Sequence, residues 1–236
     1  MIMKLTYRTC FFCGLLLLSI IGFAQPNSHW DQEKIMGKRY LLPDHYAGSP
    51  YYIQDWVVGT VTFKSGEQVH DLKMKYDGQL DELVYISDLF HSAITIDKET
   101  IESFEFEYQG RKYLFEQRFF DGFFAGNHFF QVYHKGATDL LCFRKIELNT
   151  TTAYKDASGI LKNMEYQKGY RFFLFQEGKG FYSTRLKRKS LMKYFSKEER
   201  RQVTRLLRDQ HIQWGSPEEF AHALSVLEEN KLEIDL

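Results

Sequence analysis

Eight histidines and three cysteines are the first residues to test for metal or redox chemistry. His128 and His134 have the even spacing that puts strand residues on one face. Six residues at about 3.3 Å each hold them roughly 20 Å apart, too far to grip one ion. His29, His45, His70, His91, His211 and His222 are scattered without ligand spacing, so neither a metal nor a cofactor is expected. Cys10 and Cys13 have C-x-x-C spacing but lie in an apolar run near the start of the chain. Cys142, in Leu140-Leu141-Cys142-Phe143, reads as a small buried hydrophobe. The nucleophile-elbow, zincin, P-loop, dinucleotide and EF-hand strings are missing. Glu105 and Glu107 share a strand face at about 6.6 Å, within the range of paired catalytic carboxylates. Alternating acids are also how a strand makes a wet face. A hydrolase acting on an envelope polymer is therefore kept only as the alternative to a non-catalytic binding protein.

Two stretches point to binding. From Phe119 to Phe130 three aromatic pairs surround Gly122 and Gly126. Phe119, Phe120, Phe123, Phe124 and His128 could line an apolar ligand mouth, with the glycines letting the backbone bend. The competing reading makes them core aromatics flanking a bend. From Arg185 to Arg208 ten basic residues stand against Glu198 and Glu199. Arg201, Arg205 and Arg208 share a helical face away from Val203 and Leu207, which suits an anionic lipid surface, glycolipid or phospholipid. The competing reading is internal, because residues 216–236 hold six acids against Lys231 and could neutralise the basic helix.

The elements that would carry these residues are mostly strands. Gly and Pro are scarce and 44% of residues are apolar, so the chain should fold. The 17% aromatic content favours pleated, half-buried strands. From Trp56 to Leu186, short β-branched and aromatic runs are broken at Ser65-Gly66, Asp77-Gly78, Gln109-Gly110 and Gly178-Lys179-Gly180, the pattern of antiparallel hairpins. Phe104, Phe106 and Tyr108 alternate with Ser103, Glu105 and Glu107 and give one dry face and one wet face. Near Ser190 the period becomes helical. Ser196 with Glu199 and Ser216 with Glu219 read as capping boxes opening two helices, with Pro217 at the first helical position of the second. The expected fold is mainly β, an antiparallel barrel or sandwich followed by a C-terminal two-helix hairpin. A transmembrane barrel is disfavoured because the strands are short.

Residues 1–24 combine Lys4 and Arg8, an apolar run from Cys10 to Phe23, and Gly22 and Ala24 at a cleavage position, the three parts of a secretory signal peptide. The run is shorter than the roughly 20 residues of a spanning helix. The expected organisation is a signal peptide at 1–24, an antiparallel β domain at 25–187 and a helical hairpin at 188–236. Basic and acidic residues number 31 each, so no net field draws the chain to nucleic acid. An exported protein also does not meet the chromosome, and no nucleic-acid partner is expected.

Residues 59–86 resemble a segment of uncharacterised exported β-rich envelope proteins of Gram-negative bacteria. The likeness rests on Gly59, Val61, Gly66, Leu72, Tyr76, Asp81, Glu82 and Leu83, with a similar Phe143-Arg144-Lys145 strand and Leu191–Val203 helix entry. The resemblance implies fold and export and brings no catalytic residues. The function expected from sequence is a periplasmic or outer-membrane-associated protein that binds an apolar ligand, an envelope protein or an anionic lipid surface.

Overall fold

The computed structural model of the chain describes residues 35, 37–43, 46–122, 124–151, 153–159 and 161–236. The expected export segment, Cys10, Cys13, His29, His45 and Phe123 lie outside them. The chain is mainly β. Eleven strands form one antiparallel sheet: β1 (Gly37–Arg39), β2 (Val57–Phe63), β3 (Gln68–Asp77), β4 (Glu82–Ser87), β5 (Ser92–Ile96), β6 (Ile101–Tyr108), β7 (Arg111–Phe120), β8 (Gly126–His134), β9 (Asp139–Asn149), β12 (Glu165–Gln176) and β13 (Gly180–Thr184). The short pair β10 (Tyr154–Lys155) and β11 (Leu161–Lys162) stands apart. Three helices follow: α1 (Arg188–Met192), α2 (Lys197–Asp209) and α3 (Pro217–Glu229).

The predicted turns sit between strands, and Gly66, Gly110, Gly178 and Gly180 all take positive φ there. The strand order is β1-β5-β4-β3-β2-β6-β7-β8-β9-β12-β13. It is mostly a run of hairpins, broken where β1 lies beside β5, where the chain leaves β5 and returns beside β2, and where β10 and β11 intervene between β9 and β12. Because β1 and β13 each have a neighbour on one side only, the sheet is open, and the barrel of the sequence reading does not close. The sheet nevertheless curls strongly. Tyr76 on β3 meets Phe115 on β7 at 5.1 Å and Phe129 on β8 at 6.1 Å between ring centroids, although two and three strands separate them in the sheet. Flat strands about 4.8 Å apart could not make those contacts.

The curl brings the β3–β4 turn to the far half of the sheet. Strands β8 and β9 pair only as far as Phe130 with Phe143, leaving the start of β8 and the end of β9 apart. The turn fills that split. Phe129 N donates to Asp81 Oδ1 at 3.3 Å, and Ile146 N donates to the Gly78 carbonyl at 3.0 Å. A Cβ at Gly78 would sit 3.0 Å from Ile146 Cγ1, so a larger residue would press on the Ile146 side chain. Asp77 braces the turn, accepting from Gln79 N, Leu80 N and the Tyr40 hydroxyl. Asp81 also accepts from Tyr76 Oη at 2.7 Å, Lys98 Nζ at 2.5 Å and His128 Nδ1 at 2.9 Å.

The C-terminal half of the sheet is apolar on both faces. Leu140, Cys142, Phe172 and Leu174 pack under the helices against Val203, Leu207, Phe220 and Leu224. Phe120, Phe130, Leu141, Phe143 and Phe173 form a separate cluster on the other face. Ser196 and Glu199 make the expected capping box at α2. The second box is half-formed: Ser216 accepts from Glu219 N, while the Glu219 carboxylate turns to Gln213 N.

Replacing Asp81 by Ala should destabilise the fold by about 3–5 kcal/mol, because it strands a largely buried lysine, a histidine, a phenol and a backbone N–H at once. Denaturant unfolding measures this, with Glu105→Ala on the wet face as a control costing about 0–1 kcal/mol. Equal losses for the two variants would contradict the wedge.

Candidate functional site

The aromatic stretch is divided among different surroundings. Phe120 is buried, its ring 5.4 Å from Phe173 and 5.2 Å from Phe181. Gly122 makes room for it, since a Cβ there would meet the Phe120 ring at 2.4 Å. Phe124 packs on Phe143 at 6.1 Å with the Lys145 ammonium 4.2 Å from its ring centre. His128 lies edge-on to Phe143 at 5.3 Å. Its Nε2 faces the Phe124 carbonyl at 2.9 Å, an oxygen that only accepts, so Nε2 donates there while Nδ1 faces Asp81. Phe120, Phe124 and His128 thus gather around one cluster. Phe119 points away and is 65% exposed.

The even spacing of His128 and His134 does not give them a common face. The register of β8 against β9 slips between Val132 and His134, opposing Val132 to Leu141 and His134 to Leu140. The bulge adds one residue and turns His134 to the helical side. There His134 Nδ1 lies 3.3 Å from Ser225 Oγ and Nε2 lies 3.2 Å from Glu228 Oε2. The grouping has the members of a hydrolytic triad without its geometry. The Ser225 hydroxyl also points to the Ala221 carbonyl one helical turn back, and among the described residues the buried Nε2 meets Glu228 by distance but not in hydrogen-bond geometry. Among the described residues no group of three or more His, Cys, Asp or Glu is placed to hold a metal. Glu105 pairs with Lys112 at 2.8 Å on the wet face.

Beside this grouping lies an open cleft of about 1040 Å³, walled by the β8–β9 turn, the end of β12, α3 and the C-terminal tail. Sequence reasoning missed it because its walls are far apart in the chain. At its base Arg118 bridges Glu116 at 2.5 Å and Asp139 at 3.2 Å, and Lys135 also pairs with Glu116. These charges cancel within the wall. Burial raises the Asp139 carboxyl above the usual range, and it does the same to Asp77. A carboxyl raised by folding adds stability below its unfolded value and loses that contribution as pH climbs through the folded value, so both groups resist acid unfolding.

The basic segment is the most one-sided surface. All ten basic residues from Arg185 to Arg208 are exposed, including Arg201, Arg205 and Arg208. Val203 and Leu207 are buried beneath α2, as the helical spacing requires. Among the described residues the only ion pair in this segment joins Arg208 to its neighbour Asp209 at 3.5 Å, and none reaches the acids of α3. Glu228 is instead occupied by Thr138 N and His134, on the sheet side of α3. Arg201 and Arg205 line a further open cavity of about 440 Å³. Among the described residues no helix is long and apolar enough to cross a membrane.

No protein-family model, curated protein or solved structure matches the chain.

Cys142 is buried with its thiol pushed up by desolvation to about 11. At pH 8 the raised value leaves roughly a hundredth of the thiolate an ordinary cysteine would have. Alkylation by iodoacetamide should therefore be at least about 100-fold slower in the folded protein than in urea. Equal rates would place Cys142 on an accessible, reactive surface.

Proposed function

We propose that this chain is an exported, non-catalytic protein of the cell envelope that docks on an anionic surface through its basic C-terminal segment. The curled sheet then acts as an unclosed barrel, and α2 and α3 act as a helical hairpin presenting the basic face. One observation supports this reading above the others: ten exposed basic side chains lie within 24 residues, with no ion pair to the acidic third helix. A basic patch whose one ion pair among the described residues is Arg208 with its neighbour Asp209 keeps most of its attraction for anionic lipid headgroups or an acidic envelope partner. The predicted signal peptide and the resemblance to exported envelope proteins agree with that location, periplasmic or outer-membrane associated. The aromatic stretch weighs less, since Phe120 sits in the core and Phe124 and His128 are packed on Phe143.

Arg201, Arg205 and Arg208 are the residues proposed to meet the surface. Each basic side chain near an anionic bilayer contributes about 1 kcal/mol, so reversing all three to Glu should cut binding to phosphatidylglycerol vesicles by at least ~100-fold. Because the three are exposed, the circular dichroism spectrum should not change. Sedimentation with vesicles at low salt and at about 0.5 M salt checks both the loss and its electrostatic origin, since the Debye length shrinks to a few ångströms there. Undiminished binding by the triple variant, or binding indifferent to salt, would count against docking.

A further inference from the structure

Arg144, on β9, is a cation turned into the concave face without a counter-ion. Its Nε donates to Gln131 Oε1 at 2.7 Å and its Nη2 donates to the Tyr133 hydroxyl at 2.5 Å. Its guanidinium carbon lies 4.9 Å from the centre of the Tyr52 ring. Among the described residues no carboxylate forms an ion pair with it. Glu218, exposed on the first turn of α3, reaches Tyr133 only through space.

Gln131 is 4% exposed and accepts from both Arg144 and Tyr52 Oη, so it fixes the guanidinium in place. A guanidinium has five N–H donors, and a partly desolvated one calls for an anion. The Tyr133 oxygen already accepts from Arg144, which leaves its own hydroxyl proton free to donate. The face is reachable from solvent. Tyr170, directly across the β9–β12 ladder from Arg144 and on the same side of the sheet, is 65% exposed. Tyr52 and Tyr133 thus touch the guanidinium, and Tyr170 is its exposed cross-strand neighbour on the same face.

We infer that Arg144 and Tyr133 form a binding site for the carboxylate of a small organic acid, with the tyrosine rings receiving its apolar part. A planar guanidinium with an adjacent phenol matches a carboxylate, which accepts at both oxygens. The aromatic surroundings favour an acid with a hydrocarbon body over a bare ion. The site is separate from the proposed docking face and does not depend on it.

The test is calorimetric titration of the purified protein with sodium octanoate and sodium acetate, each at constant ionic strength. Octanoate should bind, and binding at least about tenfold tighter than acetate identifies an amphiphilic acid as the ligand. Equal binding of the two would overturn the assignment of the tyrosine rings to an apolar part of the ligand. Arg144→Met should lower octanoate affinity about 10- to 100-fold, the range of a charge-assisted hydrogen bond, while leaving vesicle binding unchanged. The variant should fold, because replacing a buried cation by an apolar chain of similar length is often stabilising. Tyr133→Phe offers a second variant with the charge intact, and should lose about tenfold. The inference is overturned if the wild-type protein binds neither acid, or if both variants bind octanoate as tightly as it does.

Discussion

The arrangement turns on one carboxylate. Asp81 enters the split between β8 and β9 and accepts from the Phe129 amide and His128 of β8, from Tyr76 of β3 and from Lys98 in the turn between β5 and β6. An open sheet of eleven strands has no ladder to hold its curvature, because its edges never meet. The wedge replaces the missing ladder. It satisfies the Phe129 and Ile146 amides that the divergence of β8 and β9 leaves without strand partners, and it does so with the Asp81 carboxylate and the Gly78 carbonyl of the turn between β3 and β4.

What lies on either side of the sheet follows from that curvature. The concave face collects Tyr76, Phe104, Phe115 and Phe129 near the wedge, then Gln131, Tyr133 and Arg144, and then the apolar floor on which the helices rest. The Tyr52 and Arg144 contact exists because the segment before β2 is carried over the concave face, where Tyr52 N also bonds to the Tyr76 carbonyl. On that floor, helix α2 buries Val203 and Leu207 and leaves its arginines exposed on the outer side. The basic surface is thus the outward complement of the same packing that closes the core.

Much of the local structure was legible in the sequence. Alternation along Phe104 and Phe106 marks β6, and the Gly-containing turns mark hairpin ends, because side-chain period and positive φ are properties of neighbouring residues. Strands β1 and β5 were missed. β1 is three exposed residues, two of them charged, and β5 opens with small polar residues, so neither has the run of large apolar side chains that marks a strand. The slip at Tyr133 has no glycine to announce it, and it moved His134 to the opposite face from the one its spacing implied. The exposed basic segment was readable from composition, but the absence of ion pairs to α3 depends on how the helices sit. Asp81, Arg144 and the large cleft were illegible for one reason: they draw partners from separate elements, Asp81 reaching Phe129 and Arg144 reaching Tyr52, and a single sequence does not record which turns meet which strands.

The most direct test of the account is amide hydrogen exchange at Phe129 and Ile146, followed residue by residue by NMR in native buffer. If the wedge holds the curl, both amides should exchange only on global unfolding, with the same protection as Phe115 and Leu141 in the paired strands. Exchange at these two sites hundreds of times faster than at those core amides would show the split standing open, and would contradict a fold built on Asp81 and its turn.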